Sequence, residues 1–264
     1  MTTGIYQHFR PEERILVDQL RDYIATAQVE YRPVVTPFAN PRTRAIARIL
    51  LGDDDSIGMW TDGGFDDAEW QRVVFAPDYF TPEPADYQVQ LMGIKYPTKF
   101  AELHHSTILG TLVHQGIERE VFGDIETDGT RWQVAVDASM TDFFVDNVDH
   151  IGKVAVRLVP LTRDERVHGL SDWEDEVALL PGLRVDALVS HVYHVSRQRA
   201  KELVEHGDVT LNWQATLRPD AEVAPNDMVS VRGFGRIAVD AVTGQTAKGK
   251  LRVETRVIRK RRDH

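Results

Sequence analysis

Val195-Ser-Arg-Gln-Arg-Ala-Lys-Glu-Leu-Val-Glu-His-Gly207-Asp-Val-Thr-Leu-Asn212 is the stretch on which the reading of this chain turns. Ser196 has the side chain of a helix N-cap, an oxygen able to accept an orphan N–H of the first turn. Ala200, Leu203 and Val204 then fall on one helical face. Gly207 suits the left-handed residue that closes a helix, and Val209 and Leu211 alternate with polar neighbours as a short strand. With the apolar face buried, Arg197, Arg199 and Lys201 are predicted to point outward.

Working outward, Val185, Leu188, Val189 and Val192 lie at i, i+3, i+4 and i+7, so another helix precedes the first. Downstream, a loop around Pro219 and Pro225 leads to a strand at Met228–Arg232. Leu251, Val253, Thr255 and Val257 alternate with Lys250, Arg252, Glu254 and Arg256, which predicts a last strand with one apolar and one mostly basic face.

Charge separates this region from the rest. The 264 residues carry a formal charge of −10, yet residues 182–264 hold 15 Lys and Arg against 10 Asp and Glu, a net of +5. Residues 1–181 hold 16 against 31, a net of −15. Such asymmetry is the pattern of a nucleic-acid-binding part on an acidic body. The absence of cysteine excludes disulfides, thiol nucleophiles and Cys-based zinc sites. No run approaches the ~18 apolar residues of a membrane span, and the first ten residues have no apolar signal core, so a cytoplasmic protein without membrane contact is expected.

The acidic body reads as two modules. In residues 1–77, Pro11-Glu-Glu opens a helix carrying Ile15, Val17, Leu20, Tyr23, Ile24 and Ala27. A proline loop (Pro33, Pro37, Pro41) precedes a helix at Ala45–Leu51, which Asp53-Asp-Asp55 should break. Strands at Ile57–Trp60 and Val73–Phe75 flank the Gly63-Gly64 turn. In residues 78–170, strands are predicted at Tyr87–Ile94, Val121–Glu126, Trp132–Val136 and Val154–Val159. A helix capped by Thr98 carries Phe100 to Val113, and another covers Ser139–Val148. Asp128-Gly129 marks the hairpin between the middle strands. The order β-α-β-β-α-β is the ferredoxin-like arrangement shared by RNA-recognition motifs. The expected class is therefore α+β: a small N-terminal α/β domain (1–77), a central βαββαβ domain (78–170), an acidic linker over Arg163–Pro181, and a basic C-terminal domain (182–264).

The order helix, cap, basic helix, Gly, strand, Asn, carried by Arg184-Val-Asp186, Val195–Val204 and Gly207–Asn212, resembles the S-four RNA-binding domain. The chain as a whole resembles the YlmH family of bacterial S-four proteins. The residues that carry this are Thr36-Pro-Phe-Ala-Asn-Pro41, Gly63-Gly-Phe65, His105, Leu109-Gly110, Gly116-Ile-Glu-Arg-Glu120, Gly123-Asp-Ile125 and Arg232-Gly-Phe-Gly-Arg236. One departure stands out: the family's usual His-Arg-Asp is His105-Ser106-Thr107 here. The resemblance implies RNA binding, ribosome association and, in better-understood relatives, a part in rescuing stalled large subunits that hold peptidyl-tRNA. The partners it implies are ribosomal RNA, tRNA and the large ribosomal subunit.

On that basis the expected RNA-binding residues are Arg184, Ser196, Arg197, Arg199, Lys201, Asn212, Arg232, Arg236, Lys250 and Arg252. Arginine at a helix N-terminus combines fork geometry with nearby backbone N–H groups, which suits phosphate. Arg232-Gly-Phe-Gly235 imitates the start of an RNA-recognition box, but Arg236 stands where a stacking aromatic belongs. Within the central module only Trp132 could stack a base. His104-His105 and His191/His194 match no metal-ligand spacing, and no nucleophile or phosphate-loop motif is present, so no metal, cofactor or catalytic residue is expected. Two other readings remain open: an RNA-modifying enzyme of the pseudouridine-synthase kind, and a protein-interaction factor linked to cell division that binds through its acidic N-terminal region. A monomer is expected.

Overall fold

The computed structural model describes residues 6–52, 56–169 and 173–259. The expected helix break at Asp53–Asp55, the basic tail at Lys260–Arg262 and the chain start lie outside the described residues. The chain divides after Leu170 into two compact units.

The first unit opens with α1 (Arg14–Glu30), whose Val17, Leu20, Ile24 and Ala27 are buried while Ile15 faces solvent. β1 (Val34–Ala39), α2 (Pro41–Leu51), β2 (Ile57–Asp62) and β3 (Gln71–Pro77) complete a helix-covered antiparallel sheet of order β1-β3-β2. The expected proline loop is thus a strand. Pro37 is tolerated because β1 is an edge strand and shifts register between Val35 and Phe38. Pro41 occupies the first turn of α2, capped by Asn40 Oδ1, which accepts the Thr43 N–H at 2.9 Å.

Then follow β4 (Val89–Lys95), α3 (His105–His114), β5 (Phe122–Thr127), β6 (Trp132–Asp137), α4 (Thr141–Asn147), a short ribbon of β7 (His150–Ile151) with β8 (Val154–Ala155), and β9 (Arg157–Leu161). The sheet order β5-β6-β4-β9 is antiparallel throughout, the ferredoxin-like topology that the element order implies. Thr98 does not cap the first helix. The chain turns at Pro97, where Phe100 N–H donates to the Pro97 carbonyl at 2.9 Å, and Phe100 is left 90% exposed. The helix begins only where Ile108 and Leu112 can enter the core beneath it.

In this unit arginine and aspartate join the two sheets. Arg72 on β3 is 5% exposed. Its Nε donates to the Thr36 carbonyl at 2.7 Å, and Nη1 lies 3.0 Å from Asp137 Oδ2 and donates to the Gln88 carbonyl at 3.0 Å. Asp124 on β5 accepts the backbone N–H groups of Glu69 and Trp70. Burial and the Glu69 charge push its carboxyl up to about 7. The β4–β6 face opposite α3 and α4 is covered. Leu91, Gln133 and Ala135 are buried there, a side chain at Gly123 would meet Phe38, and Gln133 Nε2 donates to the Glu165 carbonyl at 2.8 Å.

The second unit packs α5 (Val185–Val192) and α6 (Arg197–Glu205) on one six-stranded antiparallel sheet of order β10-β15-β14-β13-β11-β12. Its strands are β10 (Glu174–Leu180), β11 (Val209–Leu211), β12 (Gln214–Ala215), β13 (Met228–Val231), β14 (Gly235–Gln245) and β15 (Leu251–Arg259). Val185, Leu188, Val189, Val192, Ala200, Leu203 and Val204 are all buried against Ala178, Ile237, Val253 and Val257. Each fully buried Val or Leu contributes about 1.5–3 kcal/mol.

One expectation fails here. The expected acidic linker contains β10, which pairs with β15 from Glu174↔Val257 to Leu180↔Leu251. Its acidic residues are held by tertiary partners: Arg259 Nη1 lies 3.0 Å from Glu174 Oε2, and its Nη2 2.5 Å from Glu176 Oε2. β14 escapes the sequence pattern because its register shifts twice, at Val239/Ala241 and Val242/Gly244, which destroys the alternation.

Candidate nucleic-acid interface

Ser196 caps α6 as expected: its Oγ accepts the Arg199 N–H at 3.0 Å. The centre of the site is an aspartate that carried no functional expectation. Asp186, in the first turn of α5, is fully buried. Arg184 Nε and Nη2 each donate to it at 3.1 Å, and Arg197 Nη2 donates at 2.7 Å. Burial pushes the Asp186 carboxyl up, but the hydrogen bonds from Arg184 and Arg197 outweigh it, and the net direction is down.

This corrects the outward reading of Arg197. Its side chain curls from the start of α6 onto Asp186, keeps 39% exposure and buries Nε, which has no hydrogen-bond partner among the described residues. Helical phase places a side chain on a face, but it does not say what carboxylate waits beside the first turn. Arg184 makes the same commitment with 44% exposure. Arg199 is the open one, 57% exposed with Nη1 3.4 Å from Glu202 Oε2. Lys201 is half-buried rather than solvent-facing.

Asn212 is engaged within the protein. Its Nδ2 donates to Asp227 Oδ1 and its Oδ1 accepts the Met228 N–H, both at 2.9 Å, so the amide ties a turn together. Arg232, in the turn between β13 and β14, is 86% exposed with Nη1 3.9 Å from Asp208 Oδ1. Arg236, at the start of β14, is half-buried between two indoles. Arg252 is exposed on β15, and Lys250 is exposed just before it.

The structure brings Arg197 and Lys250 to the rim of one shallow cleft of about 360 Å³, whose other lining includes Ser190, His191 and His194. His191 Nε2 accepts the Leu179 N–H at 3.3 Å. Among the described residues no group of three or more His, Cys, Asp or Glu side chains is placed to hold a metal ion. In the central module Trp132 packs onto the core beneath the sheet, and the opposite face is covered as described above. Sequence reading passed over Trp173 and Trp213. The available signal was an aromatic in an acidic stretch and another directly after Asn212, both where apolar residues have no periodic reason to stand.

Comparison with known proteins is consistent with this layout. Residues 82–165 match the family described as "Putative RNA-binding domain in YlmH", and residues 183–229 match the S4 domain. The chain is 36% identical over 251 residues to "Ribosome-associated protein quality control protein P2" of Bacillus subtilis (strain 168), covering 95% of this chain and 97% of that one. It is also similar to the solved "Cell division protein ylmH from Streptococcus pneumoniae", with 37% identity and a TM-score of 0.52 over 62% of this chain and 99% of that one.

Proposed function

Because the chain belongs to the YlmH family and ends in an S-four domain, we propose that it is a non-catalytic, cytoplasmic RNA-binding protein. It acts as a monomer on ribosomal RNA and tRNA of the large ribosomal subunit, in quality control of stalled translation. The observation that carries this reading is the arginine cluster at the start of α6, in a region of net +5 joined to a body of net −15. Structured RNA is recognised largely through backbone and shape, which an Arg and Lys surface on a small rigid fold serves. Ser196 supports the surface from within, and Arg184 and Arg197 offer to phosphate only what Asp186 leaves free. Residues 182–264 act as the RNA-binding domain in this reading. The domains over 1–77 and 78–170 face protein partners, since their net charge repels phosphate. The name of the Bacillus relative supports the ribosomal part of the reading.

A second reading, a protein partner in cell division bound by the acidic body, is favoured by the similarity to the pneumococcal cell division protein. Sedimentation of the tagged chain through sucrose gradients of cell lysate separates the two. Co-migration with large subunits that collapses after RNase supports the first reading. A position at the top of the gradient in both samples rejects it.

A further inference from the structure

The sheet of the second unit has a face turned away from α5 and α6. Ile237, Val253 and Val257 point into the core, so the alternate positions Arg236 and Arg256 lie on the other side. There the Arg236 guanidinium carbon lies 5.6 Å from the Trp173 ring centroid and 5.9 Å from that of Trp213. Arg256 lies 5.6 Å from Trp173 and is held by Asp240 at 3.0 Å. All are within cation–π range. Both indoles remain partly exposed, and neither belongs to the apolar core under the helices.

The backbone adds an independent sign. Leu211 pairs with Gln214, so Asn212 and Trp213 are the two central residues of a hairpin turn, with φ of 50° and 65°. That turn ordinarily takes Asn-Gly, because a bulky residue rarely adopts positive φ. Asn212 anchors the turn through Asp227 and Met228, and Trp213 is held at its tip beside Arg236 against its own backbone preference. Strain of this kind gathers at binding sites. Neither indole lies in the core cluster under α5 and α6, where an aromatic ring of this unit would ordinarily be buried.

We propose that Trp173, Trp213 and Arg236 form a stacking surface for an unpaired nucleobase, giving the protein a single-strand contact beside the phosphate contacts of α6. This rests on the RNA-binding reading above. Partly exposed indoles can stack any base, while Arg236 and Arg256 beside them favour a polyanion over an uncharged peptide.

The test uses the full chain, a fluorescent oligouridylate of about twelve nucleotides and a blunt RNA hairpin. Trp173→Ala with Trp213→Gly removes both rings, and glycine is comfortable at the positive φ of the turn. Affinity for oligouridylate should fall about tenfold or more, affinity for the hairpin less than about twofold, and the salt dependence of both should be unchanged because no charge is removed. Trp213→Phe, which keeps a ring, should retain most of the affinity. Undiminished oligouridylate binding in the double variant overturns the inference, as does equal loss on both RNAs with a lowered melting temperature. If the double variant loses an oligoproline peptide instead, the face belongs to a protein partner and the inference also falls. An Arg199→Ala/Lys201→Ala variant distinguishes the two readings: normal binding there, with loss in the tryptophan variant, rejects the α6 reading and keeps this one. A chain that binds neither RNA ends both.

Discussion

Arg72 in the first unit is 5% exposed and spends its guanidinium on two backbone carbonyls and Asp137. Arg44 there is similar, donating to the Ala39 and Glu69 carbonyls, with burial bringing its guanidinium down to about 10. In the second unit Arg197 and Arg184 keep 39% and 44% exposure while sharing one buried carboxylate, and Arg199 keeps 57%. The same residue type is therefore a girder in one unit and a presented charge in the other. What separates the roles is the count of acceptors within reach. Two carbonyls and a carboxylate surround the buried Arg72, whereas Arg184 and Arg197 share the two oxygens of the single Asp186 carboxylate and keep part of each guanidinium in solvent.

The comparison can be broken most forcefully at Arg72. Arg72→Ala leaves Asp137 and buried carbonyls without their donor, and should cost the first unit about 3–5 kcal/mol. Scanning calorimetry should show the transition of that unit falling while that of the second unit stays in place. Movement of both transitions together would contradict a role confined to the first unit.

Asp186→Ala is the counterpart in the second unit. It strips the shared acceptor from Arg184 and Arg197 at a cost of about 1.5–3 kcal/mol, less than Arg72 because both arginines can turn to water. Scanning calorimetry reads this effect as a fall in the transition of the second unit, and an unchanged transition would remove Asp186 from its central place.

Protonation sharpens the contrast because the two aspartates are shifted in opposite directions. The Asp124 carboxyl is raised to about 7, so its ionisation weighs against the fold as pH rises through the interval from about 4 to 7. Asp186 is lowered, so its contribution is complete above the ordinary carboxylate range and is lost as pH falls below about 4. Acidifying from pH 7.5 to about 5 should raise the melting temperature of the first unit, with a slope below the roughly 1.4 kcal/mol per pH unit that one titrating group allows. Asp124→Asn should flatten that slope, and an identical pH profile in the variant would exclude Asp124 as its source.

The smallest effect on stability belongs to Arg199→Ala with Lys201→Ala. The thermal midpoint should move by no more than about 0.5 kcal/mol per site. The log–log salt slope of binding to large-subunit RNA should flatten by roughly 0.7–0.9 for each phosphate that the variant no longer neutralises. Arg197→Ala is left out of this pair because its bond to Asp186 would mix folding with binding. An unchanged slope would mean that this helix start does not touch RNA.

Sequence alone determined both helices of the second unit, the two ends of α6 at Ser196 and Gly207, the ferredoxin-like order of the central module and the charge division of the chain. These follow from local rules: a cap needs an oxygen, a left-handed turn favours glycine, and an amphipathic repeat needs only its own spacing. Tertiary structure alone decided that Glu174–Leu180 is a strand, since an acidic segment becomes one only when Arg256 and Arg259 stand opposite it. It decided likewise that Pro37 lies in an edge strand and that Phe100 finds no core. In the site, Arg199 was legible because its surroundings are solvent. Arg197, Asn212 and the two indoles were not, because their roles depend on Asp186, Asp227 and Arg236. Those partners lie 11, 15, 63 and 23 residues away in the chain, and no local spacing records which of them folding will bring within about 3 Å of a donor or about 6 Å of a ring.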